Sequence, residues 1–206
     1  MTSPARKLES KAERPPVALR DRAMDNLRFI RETMERSASF THVSGLGGLG
    51  MGAVALLAAV FASRTATPVA WLVTWLGAAA VSFAVSALMM ARKSRTEGVP
   101  LMSGPGRRFA WSMTPPLAAG AVLTAALARA GLYDLLPGTW LLLYGASIVT
   151  GGSYSVRPVP VMGVGFMLAG VAAFASPASW GDAYMAAAFG GLHIVFGLVI
   201  WRKHGG

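Results

Sequence analysis

Residues 43–63, VSGLGGLGMGAVALLAAVFAS, contain no Asp, Glu, Lys or Arg over 21 positions. A transmembrane α-helix needs about 20 consecutive apolar residues, so this stretch is long enough to cross a bilayer. Comparable charge-free segments follow it, separated by short linkers. The six segments are residues 43–63, 65–91, 109–128, 135–156, 158–181 and 183–201. The sequence therefore predicts an all-α polytopic membrane bundle of six transmembrane helices in three hairpins.

The composition of the whole chain indicates the same class of protein. Of its 206 residues, 54% are hydrophobic and 14% are charged, whereas soluble domains carry about 25% charged residues. The chain has no cysteine, which excludes disulfides, thiolate metal sites and cysteine nucleophiles. The net charge of +10 lies mostly outside the apolar segments, which favours the anionic inner leaflet of a lipid bilayer, and not nucleic acid, as its neighbour.

Positive charge is distributed unequally between the two sides of the predicted spans. Seventeen of the 19 Lys and Arg residues fall on one side, and only Arg64 and Arg129 fall on the other. The positive-inside rule then predicts a multi-pass protein of the cell membrane with its N- and C-termini in the cytoplasm. In this orientation Trp71, Trp140 and Trp180 lie near the outer interface, where indole rings are enriched.

The polar arm before the first span contains a second predicted element. We expect residues 1–19 to be a disordered tail, residues 20–42 to form a cytoplasmic or interfacial amphipathic helix, and residues 43–206 to form the six-span domain. Apolar side chains recur at helical spacing within the arm. They are Met24, Leu27, Ile30 and Met34.

The charge of the arm bears on what its apolar stripe contacts. From Arg20 to Arg36, five basic residues stand beside four acidic ones, whereas helices that bind lipid by charge have a polar face rich in Lys and Arg. The stripe is typical of a helix that docks into the groove of a cytoplasmic protein partner or of a second copy. Packing under its own bundle, or at the membrane interface, is the structural alternative.

Glycine and proline refine the expected helices. Gly48 and Gly52 have the four-residue spacing that lets two membrane helices approach closely, either within one bundle or in a homo-oligomer. Thr114-Pro115-Pro116 leaves two alternatives for the third span. Either the helix starts near residue 115, with Thr114 as its cap, or the prolines lie inside a longer helix.

One ionisable side chain, His193, lies near the middle of a predicted span. Its imidazole must be hydrogen-bonded there, because an unpaired polar group in hydrocarbon costs several kcal/mol. The fourth predicted span offers a polar stripe that could face it, formed by Tyr144, Ser147, Thr150 and Tyr154. These residues either line a small polar cavity for a ligand or pore, or make the interhelical hydrogen bonds that hold a bundle together.

The sequence carries no recognisable catalytic, metal-binding or phosphate-binding motif. A metal site around His193 needs a second ligand at the same depth, and His42 and His204 both lie at the cytoplasmic side. We therefore predict no enzyme activity, no cofactor and no metal. The favoured function is a membrane-tethered regulator or accessory subunit that acts through protein contacts. The alternative is a small transporter or channel for a neutral or weakly polar solute, with a cavity around His193.

Overall fold

The computed structural model describes residues 17–37, 40–98 and 100–205, and the predicted tail lies mostly outside them. Within these ranges the regular structure is helical. The α-helices are α1 Val17–Ser37, α2 Gly45–Ala62, α3 Pro68–Glu97, α4 Gly104–Arg129, α5 Leu136–Gly152, α6 Pro158–Ala175, α7 Gly181–Met185 and α8 His193–His204. A π-helical segment, Ala186–Leu192, joins α7 to α8.

Six stretches of the structure are long and apolar enough to cross a membrane. They are Gly45–Ala62, Pro68–Glu97, Gly104–Arg129, Tyr133–Gly152, Pro158–Ala175 and Ala178–His204. The last of these, called the sixth span below, contains α7, the π-helical segment and α8. The prediction of an all-α protein with six spans is confirmed, and the chain is a multi-pass integral membrane protein. Its terminal orientation stays a prediction.

The chain divides into two units at Ser37. The described part of the first unit is the single helix α1. Residues 40–44 belong to the second unit, and we call them the anchor segment. Its Phe40 pairs with the α5–α6 loop, where the Ser155 hydroxyl donates to the Phe40 carbonyl oxygen over 2.7 Å. Among the described residues, Phe40, Thr41 and His42 thus belong to the second unit.

Local sequence explains several helix ends. The hydroxyl of Ser44 accepts the backbone N–H of Gly47 at the start of α2, and Thr67 does the same for Ala70 at the start of α3. Such caps satisfy backbone donors that have no partner inside the helix. The helix α3 ends at Glu97 and is followed by Gly98, whose φ of 67° is the left-handed conformation that favours glycine.

The two prolines of the third span lie inside α4, which begins at Gly104 and continues to Arg129. Thr114 is not a cap, because its hydroxyl donates to the carbonyl oxygen of Ala110 one turn earlier. Of the two alternatives left open by the sequence, the longer helix is the one observed. Membrane helices tolerate such prolines where side-chain hydroxyls and neighbouring helices satisfy the freed backbone groups.

Two pairs form the centre of the bundle, namely α2 with the sixth span and α5 with α6. The helix α2 packs against α3 and against the sixth span, while α5 packs against α4 and α6. The contact between α5 and α6 is the most extensive in the bundle, and α6 touches the sixth span over a shorter length than α2 does. The grouping of the spans into three hairpins stays a prediction.

Glycines mediate the contact between α2 and the sixth span. A Cβ atom at Gly52 would lie 2.8 Å from the carbonyl oxygen of Gly190, and one at Gly48 would lie 3.0 Å from the Cα atom of Gly197. Side chains at these positions would collide with backbone that cannot move aside easily. Gly48 and Gly52 therefore face another helix of the same chain.

The pair α5 and α6 repeats this arrangement. A Cβ atom at Gly145 would lie 2.7 Å from the Gly163 carbonyl oxygen, and one at Gly163 would lie 2.8 Å from the Gly145 carbonyl oxygen. Gly138 and Gly170 make a similar approach seven residues away on each helix, where a Cβ on Gly170 would lie 3.1 Å from the Gly138 carbonyl oxygen. Both pairs run antiparallel, so the bundle rests on two contacts of the same kind.

We predict that Gly52→Ala lowers the stability of the bundle by about 1–3 kcal/mol, the usual cost of overpacking a tight contact. The matched control is Gly77→Ala in the middle of α3, where an added Cβ meets nothing within 4 Å. The measurement is the apparent melting temperature of both variants in one detergent. Equal shifts in the two variants would contradict the packing described here.

Candidate functional site

His193 opens α8 directly after the π-helical segment, and both of its ring nitrogens have partners. Nδ1 lies 2.8 Å from the carbonyl oxygen of Phe189, and Nε2 lies 2.8 Å from the hydroxyl oxygen of Tyr144. A carbonyl oxygen can only accept, so Nδ1 carries a proton. In the neutral imidazole Nε2 is then the acceptor, and the Tyr144 hydroxyl donates to it.

Four rings enclose this hydrogen bond. Tyr144, Phe166, Phe189 and His193 have ring centroids between 4.8 and 6.2 Å apart. We call them the His193 cluster. They come from α5, α6, the π-helical segment and α8, and His193 is only 3% exposed. The cluster therefore joins three spans at the centre of the bundle.

The π-helical segment explains how His193 reaches this position. The His193 backbone N–H donates to the carbonyl oxygen of Gly190, whereas its imidazole Nδ1–H donates to the carbonyl oxygen of Phe189. Gly190 of the same segment packs on Leu56 and the backbone of α2. Departures from α-helical hydrogen bonding inside a helix are frequent at functional sites, and here the departure accompanies a side-chain to backbone bond that orients the ring.

The remaining residues of the predicted polar stripe have other partners. Ser147 is buried and donates to the carbonyl oxygen of Tyr144, and Thr150 donates to the carbonyl oxygen of Ser112 on α4, each over 2.8 Å. Tyr154 lies beyond the end of α5 and is 39% exposed. The structure thus brings Tyr144 to His193, while Ser147 and Thr150 bond to backbone and Tyr154 lies outside the cluster.

The arm residues proposed for partner binding all lie on α1 with their side chains exposed. Met24, Leu27, Ile30 and Met34 have exposed fractions between 49% and 68%. At 100° per residue they fall within about 120° of arc. These four side chains thus form one apolar face of α1.

Sequence reasoning missed a second polar cluster, which lies at the end of the bundle where α3 begins. One carboxylate oxygen of Asp182 accepts the indole N–H of Trp71 over 2.7 Å and that of Trp75 over 3.2 Å. Trp71 stacks on Trp140 with a centroid distance of 5.5 Å and an interplanar angle of 9°. The Trp140 indole N–H in turn donates to Thr124 of α4. We call these residues the tryptophan cluster.

A cleft of about 370 Å³ opens beside the tryptophan cluster, and Asp134, Asp182 and Tyr133 are among its lining residues. The sequence held one signal for it, because Trp71 and Trp75 are four residues apart and share a helix face. Their partner Asp182 is more than a hundred positions away along the chain, which no local pattern reveals. Two carboxylates and aromatic rings would suit a cationic group.

At the opposite ends of the spans, a buried lysine ties the anchor segment to α8. Nζ of Lys93 donates to the carbonyl oxygen of His204 over 2.6 Å and to that of Val43 over 3.3 Å. Glu97 lies 3.9 Å from Lys93 and 3.3 Å from Nε2 of the buried His42, whose ring nitrogens make no hydrogen bond of normal geometry among the described residues. The ends of three helices thus converge on one ammonium group.

No protein-family model, curated protein or solved structure matches this chain. What the protein does must therefore follow from its own side chains. Three features carry chemistry: the exposed face of α1, the enclosed His193 cluster and the charged groups at the two ends of the bundle.

We predict that Tyr144→Phe destabilises the bundle by about 1–3 kcal/mol, because it leaves a buried imidazole nitrogen without its donor. Tyr154→Phe is the matched control and should have little effect, since the Tyr154 hydroxyl makes no hydrogen bond with another described residue. The double variant Tyr144→Phe/His193→Phe should lose less than the sum of the two single variants. Thermal unfolding in detergent measures the stability of the native chain, the two single variants and the double variant. Strictly additive losses of stability would show that the two side chains are not coupled.

We further predict that Asp182→Ala lowers stability by about 1–3 kcal/mol, because it leaves two indole donors without an acceptor. Asp182→Asn keeps an acceptor oxygen and should retain most of that stability. Asp134→Ala removes an exposed carboxylate from the same cleft and should change stability little. A loss in Asp134→Ala as large as in Asp182→Ala would argue for a general charge effect.

Proposed function

We propose that the protein is a membrane-tethered regulator or accessory subunit that acts through protein contacts and not through catalysis. The observation that carries the proposal is the apolar face of α1. Four large side chains on one helix face are more than half exposed on average. Contiguous exposed apolar surface of this kind marks interaction sites, and an amphipathic helix that lays such a face into a groove is a common recognition mode.

The charges of α1 favour a protein groove over a lipid surface. Between Arg20 and Arg36 the basic and acidic residues differ by one, so electrostatic attraction to anionic lipid is weak. Interspersed charges of both signs around an apolar stripe suit a protein surface, where complementary charges fix register and orientation. The occupant is therefore a cytoplasmic protein with an apolar groove and mixed charges at its rim.

The six-span unit supports a tethering role. The only histidine near mid-span has both ring nitrogens hydrogen-bonded and is enclosed by three aromatic rings. The alternative, a carrier for a neutral solute, requires a path past His193, and these rings would have to separate to open one. The polar groups at the centre of the bundle are already used in holding it together, which directs the proposal to the apolar face of α1.

The test is site-specific photo-crosslinking in native membranes with a crosslinker at position 27 of the full chain. We expect one defined protein adduct, and we expect Ile30→Asp/Met34→Asp to reduce its yield at least tenfold, because each carboxylate would be buried in an apolar groove. Phe29→Asp is the matched control, since Phe29 is exposed on α1 but lies away from the stripe. Its adduct yield should be unchanged.

Four outcomes would contradict the proposal. Adducts to lipid alone would assign the stripe to the membrane surface, and adducts only to a second copy of the chain would assign it to self-association. An unchanged protein adduct in Ile30→Asp/Met34→Asp would show that the stripe does not form the contact. Deleting residues 1–38 without loss of the co-purifying partner would lead to the same conclusion.

A further inference from the structure

A second cleft lies between the start of α6 and the end of α8. Its volume is about 640 Å³, and Arg157, Lys203 and His204 contribute its polar side, with Val161, Phe196 and Val199 on the apolar side. No Asp or Glu is among the described residues that line it. The cleft is therefore positively charged at its mouth and apolar along its wall.

The charge count places this cleft at the cytoplasmic side. Arg157, Arg202 and Lys203 all belong to the seventeen basic residues of the predicted inner face. Anionic phospholipids give the inner leaflet its negative surface potential, and basic pockets between membrane helices on this side bind their headgroups. The guanidinium of Arg157 suits a phosphate because its planar donors match two phosphate oxygens.

The apolar wall distinguishes a lipid from a free anion. Val161 follows Arg157 by four residues, which is about 6 Å along a helix, and it is exposed. Val164 and Leu168 share its face of α6 and are also exposed, so the apolar stripe continues for about 10 Å toward the middle of the membrane. A phosphate at Arg157 would thus have an acyl chain path directly beside it.

We propose that the cleft between α6 and α8 binds an anionic phospholipid, with its phosphate between Arg157 and Lys203 and one acyl chain along the α6 face of Val161, Val164 and Leu168. The site is separate from α1 and does not depend on the role proposed for that helix. Its ligand is a structural or regulatory lipid of the inner leaflet.

The test is native mass spectrometry of the full chain in detergent, titrated with phosphatidylglycerol or with phosphatidylcholine of the same acyl chains. We expect the first phosphatidylglycerol to bind at least tenfold more tightly than phosphatidylcholine. Arg157→Gln/Lys203→Gln should weaken phosphatidylglycerol binding about 25-fold, since each basic residue near the membrane surface contributes about fivefold. The charge-preserving variant Arg157→Lys/Lys203→Arg should retain most of the affinity.

The matched control is Arg107→Gln/Arg108→Gln, which removes two exposed charges near the start of α4, on the same predicted face but outside the cleft. Its phosphatidylglycerol affinity should stay within twofold of the native chain, and an equal loss in both double variants would overturn the site in favour of bulk charge. Inorganic phosphate at millimolar concentration should not displace the lipid. Displacement by phosphate would identify a small-anion site and would also overturn the proposal.

Discussion

Backbone contact at glycine is the constraint on which the rest of the bundle depends. Lipid chains are as apolar as leucine, so membrane helices gain nothing by hiding apolar side chains from water and associate through close packing and hydrogen bonds. Two antiparallel pairs, α2 with the sixth span and α5 with α6, approach so closely that a Cβ atom at Gly52 or Gly145 would strike the opposite backbone. Once these pairs form, α3 and α4 can pack on their outer sides.

The buried polar groups follow from that arrangement. The approach of the sixth span to α2 fixes the π-helical segment, and the α5–α6 pair presents Tyr144 and Phe166 to it. His193 therefore meets the Tyr144 hydroxyl where three spans converge. Ser147 and Thr150 use carbonyl oxygens of α5 and α4 in the same region. In a medium without water, each of these bonds avoids the cost of an unpaired polar group. The interior is consequently specific in its packing but offers few free groups for chemistry.

The sequence was sufficient for the six spans because length and apolarity are local properties. It was insufficient where an outcome depends on distant neighbours. The prediction of a polar stripe on the fourth span required a helix that continues to Tyr154. The helix α5 instead ends at Gly152, and Tyr154 lies in the following loop, which pairs with the anchor segment. Whether α4 continues through Pro115 depended on hydrogen-bond partners for the backbone groups that the proline leaves unpaired, and these come from the surrounding structure. Asp182 looked like a loop residue, and only the fold reveals that Trp71 and Trp75 converge on it.

The anchor segment is linked by hydrogen bonds to residues that line the cleft between α6 and α8. Ser155 lines the cleft between α6 and α8 and donates to the Phe40 carbonyl oxygen, while His204 lines the same cleft and shares the Lys93 ammonium with Val43. The cleft for which we propose a lipid and the start of the six-span unit are thus linked by hydrogen bonds at two places. Binding energies coupled through such links are reciprocal. If a lipid in the cleft altered the affinity of α1 for the partner that we propose, that partner would alter the affinity for lipid by the same factor.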